Sequence, residues 1–265
     1  MTPLGGGITN RNFRVDVGGE SFVLRVGGKD TELLGIDRRA EHGASVVAAR
    51  LGVAPEVVAF VEPEGYLVTR YVEGDVGRVE VERAGAILRL VHGGPPIPGR
   101  FDSFRVVEAY AATAVARGLR VPADYDRARE LAVEIERRRG KRSLRPCHND
   151  LLTANFIDDG ERLWLVDWEY AGMGDPYFDL ANFAANHELD EDGETALLDA
   201  YGGGDRAAVV LMRVMSDFRE AMWGVVQQAI SELDFDFRAY AQQHFERLAR
   251  TAAGPRFRAA LRDAP

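Results

Sequence analysis

The residues best suited to chemistry in this sequence lie between Cys147 and Tyr170, in the segment CHNDLLTANFIDDGERLWLVDWEY. This segment contains a carboxylate at Asp150, an amide at Asn155 and a second carboxylate at Asp167. Phosphoryl transfer to a hydroxyl group needs this combination, because one carboxylate orients the hydroxyl while an Asn and an Asp hold Mg²⁺ against the nucleotide phosphates. The spacing therefore predicts a phosphotransferase site.

A β-hairpin is predicted to bring these groups together. Residues 155–157 have the pattern of a short strand, Asp159 and Gly160 form a strong turn signal, and residues 162–168 alternate in part as a second strand. Because a hairpin returns the chain to its starting point, the amide and the second carboxylate should finish near the same end. A simpler interpretation, solvated acids on a hairpin, is adopted only for the acids at its turn: Asp158, Asp159 and Glu161.

Length, charge and cysteine content narrow the class of protein. The 265 residues are enough for one large domain or two lobes with an ample core. The net charge of −9 argues against nucleic acid as the main partner and is compatible with a cationic substrate. The single cysteine, Cys147, excludes a disulfide framework and a metal site built from cysteines. We interpret it as a small buried residue.

The sequence shows no targeting or membrane segment. The N-terminal residues lack the pattern of a secretory signal, and no uncharged apolar stretch approaches the roughly 18 residues that a membrane span requires. We therefore expect a cytoplasmic protein that acts on a small molecule.

Strand-like patterns are concentrated in the N-terminal part of the chain. Residues 11–26 read as two strands around a glycine turn, and residues 57–61 and 66–71 read as two more. Between these pairs, residues 37–50 have the spacing and the acidic start of a helix. The polar, glycine-containing segment 73–75 is interpreted as a hinge.

The rest of the chain is mostly helical in pattern. Residues 205–231 and 236–250 have helical spacing, and the catalytic hairpin interrupts the helices. The predicted fold class is therefore α+β in two lobes, a small antiparallel-sheet N-lobe in residues 1–72 and a larger helical C-lobe in residues 73–265. Such a layout places a nucleotide in the cleft between the lobes.

A glycine-rich segment precedes the first long strand. Glycines such as Gly6 and Gly7 let backbone N–H groups approach phosphate oxygens closely, and Thr9 and Asn10 add further donors. These four residues are candidates for nucleotide binding. A flexible lead-in to the strand is the alternative, because three glycines near a terminus are a weak signal by themselves.

A cation in the second strand is a candidate phosphate ligand. Arg25 lies in the pattern FVLRV, where a strand lysine of kinases pairs with nucleotide phosphates, and an arginine can bind phosphate in bidentate fashion. Glu41, on the following helix, is positioned to pair with it. Lys29 is a rival cation, but it follows two glycines and is interpreted as part of a turn.

Five segments together resemble one family of small-molecule kinases: GGGITNRNF at 5–13, FVLRV at 22–26, CHNDLLTANF at 147–156, VDWEYAGMGDPYFDLANF at 166–183 and WGVVQQAISELDFDFRAYAQQHF at 223–245. The resemblance is to the choline/ethanolamine kinases, including the bacterial choline kinase-like group, and it spans nearly the whole chain. Aminoglycoside phosphotransferases resemble the catalytic segments but not the last one.

The resemblance implies a protein-kinase-like fold and the ATP- and Mg²⁺-dependent phosphorylation of a small amino alcohol such as choline or ethanolamine. It implies that Arg25 and Glu41 form the phosphate-positioning pair and that the backbone near Tyr71 and Val72 contacts the adenine ring of ATP.

The resemblance also assigns the catalytic groups. It implies that Asp150 is the catalytic base and that Asn155 and Asp167 bind Mg²⁺. Asp179, in the FDL segment, resembles the kinase aspartate that supports the catalytic loop, so we expect a structural role for it.

For the acceptor, the resemblance implies a cationic head held among aromatic residues near the C-terminal helices. Trp223 and Tyr240 occupy the matching positions, with Glu169 as a nearby acid, and an aromatic face attracts a quaternary ammonium. Without the resemblance, both aromatics would be assigned to the core. Val226 and Asn186 stand where the family often has a second Trp and an acid, so the aromatic cage is incomplete. We therefore expect a less methylated amine to be accepted at least as well as choline.

Two alternatives remain open from the sequence. One is a phosphotransferase for another hydroxylated substrate, such as an aminoglycoside or a sugar, which the incomplete cage permits. The other is a non-catalytic nucleotide-binding protein with a kinase-like fold. The presence of Asp150 speaks against the second alternative, because a binding module needs no base.

Overall fold

The computed structural model of the protein describes residues 1–5, 9–77 and 79–264. The phosphate contacts expected of Gly6 and Gly7 therefore lie outside the described residues. The N-terminal region is built on one antiparallel sheet in the order β1-β2-β3-β5-β4. Its strands are β1 (Thr2–Leu4), β2 (Asn10–Val17), β3 (Glu20–Gly27), β4 (Val57–Val61) and β5 (Tyr66–Arg70).

One helix, α1 (Arg38–Arg50), lies between β3 and β4 in the chain and begins where the sequence predicts. The Asp37 carboxylate accepts hydrogen bonds from the backbone N–H groups of Arg39 and Ala40. These bonds satisfy donors that the first turn of a helix leaves free. Glu41 lies on the buried face of the helix, so α1 carries a carboxylate into the interior of the fold.

The hairpin that the sequence predicts is present, but its ends differ from the prediction. Asn155 belongs to a 3₁₀ turn that precedes the first strand, and Asp167 lies beyond the second strand in the left-handed region, with a φ of 68°. Turn geometry at both ends, rather than strand pleating, therefore directs the amide and the carboxylate into the cleft. The hairpin belongs to a three-stranded sheet of β6 (Asp75–Val76), β8 (Phe156–Asp158) and β9 (Leu163–Leu165), in the order β6-β8-β9.

The segment interpreted from the sequence as a hinge, residues 73–75, is tied to this hairpin. Its last residue starts β6, which pairs with β8 in an antiparallel ladder. On the other side of the hairpin, the backbone N–H of Leu165 donates to the carbonyl of Val53 at 2.8 Å. The hairpin is therefore hydrogen-bonded both to the N-terminal region and to the chain segment that leaves it.

Helices make up most of the remaining described residues. The longest, α7, is buried along most of its length because α3, α5, α8 and α9 pack around it. No helix within the described ranges combines the length and the apolar character needed to cross a bilayer. The helices are α2 (Val81–His92), α3 (Ser103–Ala116), α4 (Asp124–Arg139), α5 (Pro176–Asn186), α6 (Glu191–Tyr201), α7 (Arg206–Ile230), α8 (Phe237–Ala253) and α9 (Pro255–Asp263).

A short antiparallel pair precedes the loop that carries Asp150: β7 (Arg145–Cys147) and β10 (Gly172–Gly174). Cys147 ends β7 and is fully buried, as the sequence predicted. Burial raises the pKa of its thiol well above the ordinary value, because a thiolate is poorly solvated in the interior. The residue therefore acts as a small apolar side chain.

The contact between α2 and α6 depends on a glycine, and this generates a stability prediction. A Cβ atom at Gly85 would lie 2.8 Å from both the Ala200 Cβ and the Leu197 carbonyl oxygen, so a larger residue forces the helices apart. We expect Gly85→Ala to lower the free energy of unfolding by about 1–3 kcal/mol, measured by urea denaturation. Leu90→Ala on the exposed face of the same helix should change it by less than about 0.5 kcal/mol. Equal effects of the two changes would contradict the proposed packing.

Candidate active site

A buried carboxylate fixes the loop that carries the candidate base. Asp179, on α5, is fully buried and accepts hydrogen bonds from the backbone N–H groups of His148 and Asn149 at 2.8 and 2.7 Å. Its Oδ2 also lies 3.0 Å from the Nε2 of His92, at the end of α2. These bonds hold Asn149 in the left-handed region, with a φ of 67°. Asp179 therefore supports the loop immediately before Asp150, in the structural role that the sequence predicted.

Asp150 follows this loop and is itself buried. Its Oδ1 accepts a hydrogen bond from the Nη1 of Arg219 at 3.0 Å, and its Oδ2 lies 3.3 Å from the Nδ2 of Asn155. Burial raises the pKa of the carboxyl group to about 7, with Arg219 acting in the opposite direction. A carboxyl group with this pKa can accept a proton near neutral pH, which suits a general base.

Two oxygen donors lie together beside Asp150. The Nδ2 of Asn155 donates to the backbone carbonyl of Asp150 at 2.8 Å, which fixes the amide and leaves its Oδ1 as a donor to a metal. Asp167 accepts a hydrogen bond from Arg25 on Oδ1 only, at 2.5 Å. Amide and carboxylate oxygens are ligands that Mg²⁺ prefers, so this pair fits the metal implied by the family resemblance.

The predicted ion pair between β3 and α1 is present and forms part of a network. Arg25 donates to Glu41 at 2.8 Å as well as to Asp167, and Arg38 donates to the other oxygen of Glu41 at 2.7 Å. Lys29, the alternative cation, does not take part in this network, because it pairs with Glu232 at the surface, 2.7 Å away. The structure therefore leaves Arg25 as the strand cation that faces the catalytic segment.

A cavity of about 280 Å³ separates the N-terminal sheet from the catalytic hairpin. Val23 and Leu67 contribute apolar surface to it, Arg25 contributes the cation, and Tyr71 and Val72 line the end from which the chain passes to the C-terminal region. The positions expected to meet a nucleotide thus surround one space, with the exception of those at the glycine-rich segment.

Thr9 and Asn10 lie at a different place from the one expected. Both line a second, smaller cavity beside Asp150. The Nδ2 of Asn10 donates to Glu169 at 2.8 Å, and its Oδ1 accepts from Arg38 at 2.9 Å. Both polar atoms of the Asn10 side chain are therefore hydrogen-bonded to charged neighbours, Glu169 and Arg38.

The smaller cavity, of about 60 Å³, also brings together the residues expected to hold the acceptor. Trp223 is only 4% exposed, so the choice between pocket and core is not an exclusive one: its side chain belongs to the core and also lines the cavity. Its ring meets the Tyr240 ring edge-on, with centroids 5.5 Å apart. Glu169 also lines the cavity, and burial together with the nearby Asp167 raises its pKa to about 8.

Sequence reasoning missed several residues of this cavity. Arg219 and Glu220 are buried neighbours on α7 that pair with each other at 2.5 Å, and Glu220 accepts from the hydroxyl of Tyr240 at 2.7 Å. Tyr170 accepts a hydrogen bond from the Trp223 indole at 3.0 Å. The available signal was an Arg-Glu pair within an apolar stretch of a long helix, because such residues are almost never buried unless they are paired.

The sequence matches a known protein family. A family model described as the phosphotransferase enzyme family matches residues 1–216. LicA of Haemophilus influenzae is 28% identical over 210 residues, covering 74% of this chain and 61% of that protein. Ethanolamine kinase 2 of Homo sapiens is 31% identical over 124 residues, covering 37% of this chain and 32% of that protein. The matches thus span less than two thirds of the length of either relative.

The structure matches solved kinases over nearly its whole length. A choline/ethanolamine kinase family protein from Mesorhizobium loti has 34% identity and a TM-score of 0.83, covering 97% of this chain and 90% of that one. Choline kinase LicA from Streptococcus pneumoniae has 24% identity and a TM-score of 0.83, covering 96% and 94%. An aminoglycoside phosphotransferase shares the fold more distantly, at 18% identity and a TM-score of 0.64 over 96% of this chain and 94% of that one. The kinase-like fold expected from the sequence is confirmed, and this chain belongs to the phosphotransferase enzyme family and to the choline/ethanolamine kinase family.

Proposed function

We propose that this protein transfers the terminal phosphoryl group of ATP to the hydroxyl of a small amino alcohol, with choline and ethanolamine as the candidate acceptors. The observation that carries the proposal is that the two cavities meet. Ala154, Asn155 and Asp167 line both of them, with the sheet-side cavity on one side and Asp150 on the other. A phosphoryl group on one side would therefore face a hydroxyl group on the other.

The larger cavity suits the nucleotide. Its apolar surfaces match an adenine ring, and Arg25 supplies the positive charge that phosphate oxygens need. Support comes from LicA solved in complex with AMP, which is 25% identical to this chain with a TM-score of 0.78 over 93% of it. When bound, Mg²⁺ would offset the negative charge of the phosphates, and the oxygens of Asn155 and Asp167 would hold it.

Asp150 is the group that binds the acceptor hydroxyl and accepts its proton. Its carboxylate accepts the hydrogen bond of the hydroxyl and takes the proton as the new oxygen–phosphorus bond forms and the bond to the nucleotide breaks. The hydrogen bond from Arg219 fixes the orientation of the carboxylate. Since Asp150 is buried, bulk water is largely kept from competing with the acceptor.

The smaller cavity suits a compact cationic alcohol. Its walls carry the carboxyl groups of Asp150, Glu169 and Glu220 together with the rings of Trp223 and Tyr240. Carboxylates and aromatic faces both attract an ammonium group. An aminoglycoside is much larger than this space, so the cavity favours the amino alcohol over that alternative.

The direct test is ATP consumption by the purified protein, measured with choline, ethanolamine, aminoglycosides and sugars as acceptors. We expect Mg²⁺-dependent turnover with the amino alcohols and only background rates with the others. Turnover with an aminoglycoside or a sugar alone would replace the proposed acceptor. The absence of turnover with any acceptor, despite nucleotide binding, would favour the non-catalytic alternative.

The first mutational prediction concerns the base. We expect Asp150→Asn to lower kcat by about 10²–10⁴, because the amide cannot accept the hydroxyl proton, while ATP affinity changes little. Steady-state kinetics and calorimetric titration with ATP measure the two effects. Asp199→Asn, which changes an exposed acid on α6, is the matched control and should retain full activity. Full activity in a folded Asp150→Asn protein would remove Asp150 from the mechanism.

The second prediction concerns the metal. We expect Asp167→Ala to abolish the dependence of ATP affinity on Mg²⁺, because the carboxylate that would hold the metal is lost. Calorimetric titrations with ATP, with and without Mg²⁺, measure this dependence. Glu161→Ala removes an exposed carboxylate from the same hairpin and should leave it intact. If Mg²⁺ still strengthens ATP binding to Asp167→Ala by the wild-type factor, the metal has other ligands.

A further inference from the structure

The smaller cavity already contains a permanent cation. Arg219 is 1% exposed, and the carbon of its guanidinium group lies 4.3 Å from the centroid of the Tyr170 ring. Its Nη1 donates to Asp150 and to Glu220, at 3.0 and 2.5 Å. An aromatic face and carboxylates are the groups that receive a cationic head, and the guanidinium group occupies some of them. It cannot lose its charge, because arginine stays protonated in proteins.

We propose that Arg219 makes this pocket select a primary ammonium alcohol, such as ethanolamine, over a trimethylammonium alcohol, such as choline. The inference rests on the proposed function, since it concerns the acceptor of that reaction. Its physical basis is the difference between the two heads. A trimethylammonium group has no N–H donors and relies on aromatic faces, whereas a primary ammonium group donates hydrogen bonds to carboxylates.

The aromatic faces that a trimethylammonium head needs are restricted. The guanidinium of Arg219 covers the Tyr170 ring. The remaining rings, Trp223 and Tyr240, pack against each other with planes inclined at 68°. Both are held by hydrogen bonds, from the Trp223 indole to Tyr170 and from the Tyr240 hydroxyl to Glu220. The rings therefore cannot turn freely to enclose a methylated head.

The carboxyl groups, in contrast, favour a head with hydrogen-bond donors. Glu169 and Glu220 lie on the walls of the same cavity, and each is bonded to neighbouring side chains that fix its position. Charge-assisted hydrogen bonds from a primary ammonium group to such carboxylates offset the repulsion from the buried guanidinium. Each methyl group on the nitrogen removes one of these bonds while leaving the repulsion in place.

The volume of the cavity also favours ethanolamine over choline. A space of about 60 Å³ is small for an acceptor. Of the two candidates, ethanolamine has the fewer heavy atoms. Choline carries additional methyl groups at its bulkiest end, and one aromatic face of the cavity, that of Tyr170, is already in contact with Arg219.

The experiment compares kcat/KM for ethanolamine and choline in the wild type, in Arg219→Met and in Arg213→Met. We expect the wild type to prefer ethanolamine and Arg219→Met to shift the ratio towards choline on the order of tenfold, within the range of one cation–π contact. Loss of the hydrogen bond to Asp150 lowers the rates for both acceptors, so only the ratio reports selection. Arg213→Met removes a charge from the same helix, where Arg213 pairs with Glu194 away from the cavity, and should keep the wild-type ratio.

The outcomes separate this inference from the proposed function. If the wild type phosphorylates neither amine, the proposed function is wrong. If it phosphorylates both but prefers choline, or if Arg219→Met keeps the wild-type ratio, the function stands and the role of Arg219 is wrong. If Arg219→Met does not fold, inhibition of the wild-type reaction by small amines without a hydroxyl group tests the proposal instead. Stronger inhibition by methylammonium than by tetramethylammonium supports selection by Arg219, and the reverse order overturns it.

Discussion

An excess of buried negative charge is the constraint around which the cleft is built. Within the described residues, five carboxyl groups lie close to three guanidinium groups, which leaves two negative charges uncompensated when all are ionised. The pKa of Asp150 rises to about 7 and that of Glu169 to about 8, since burial disfavours these charges. A divalent metal and a cationic acceptor would each reduce the excess. The groups are Glu41, Asp150, Asp167, Glu169 and Glu220, with Arg25, Arg38 and Arg219.

The segment that carries Asp150, Asn155 and Asp167 is held from several directions, which keeps these charges in place. Asp179 fixes the loop before Asp150 through two backbone N–H groups, and His92 connects Asp179 to α2. The hairpin is bonded on one edge to β6 and at Leu165 to the carbonyl of Val53. Because like charges repel, a segment with fewer restraints would move its acids apart. The backbone hydrogen bonds thus supply the rigidity that the electrostatics of the site require.

Local sequence signals were enough to locate the hairpin, the cap of α1 and the pairing of Arg25 with Glu41, because each depends on spacing, turn residues or element order. They were not enough to place Asn10 beside Glu169, or Arg219 beside Asp150, because these contacts join residues far apart in the chain. The left-handed conformation of Asp167 was also missed, since alternation in the preceding residues suggested a longer strand. The fold was therefore more predictable than the distribution of charge within the site.

The burial of Cys147 has a practical consequence for measuring the distance between the two sides of the cleft. A fully buried thiol with a raised pKa resists alkylation while the protein is folded, because the reactive species is an accessible thiolate. Since the chain has no other cysteine, cysteines introduced on the surface can be labelled selectively without removing the native one. A pair of spin labels or fluorophores, one on each side of the cleft, would then report the distance between them as the nucleotide is added.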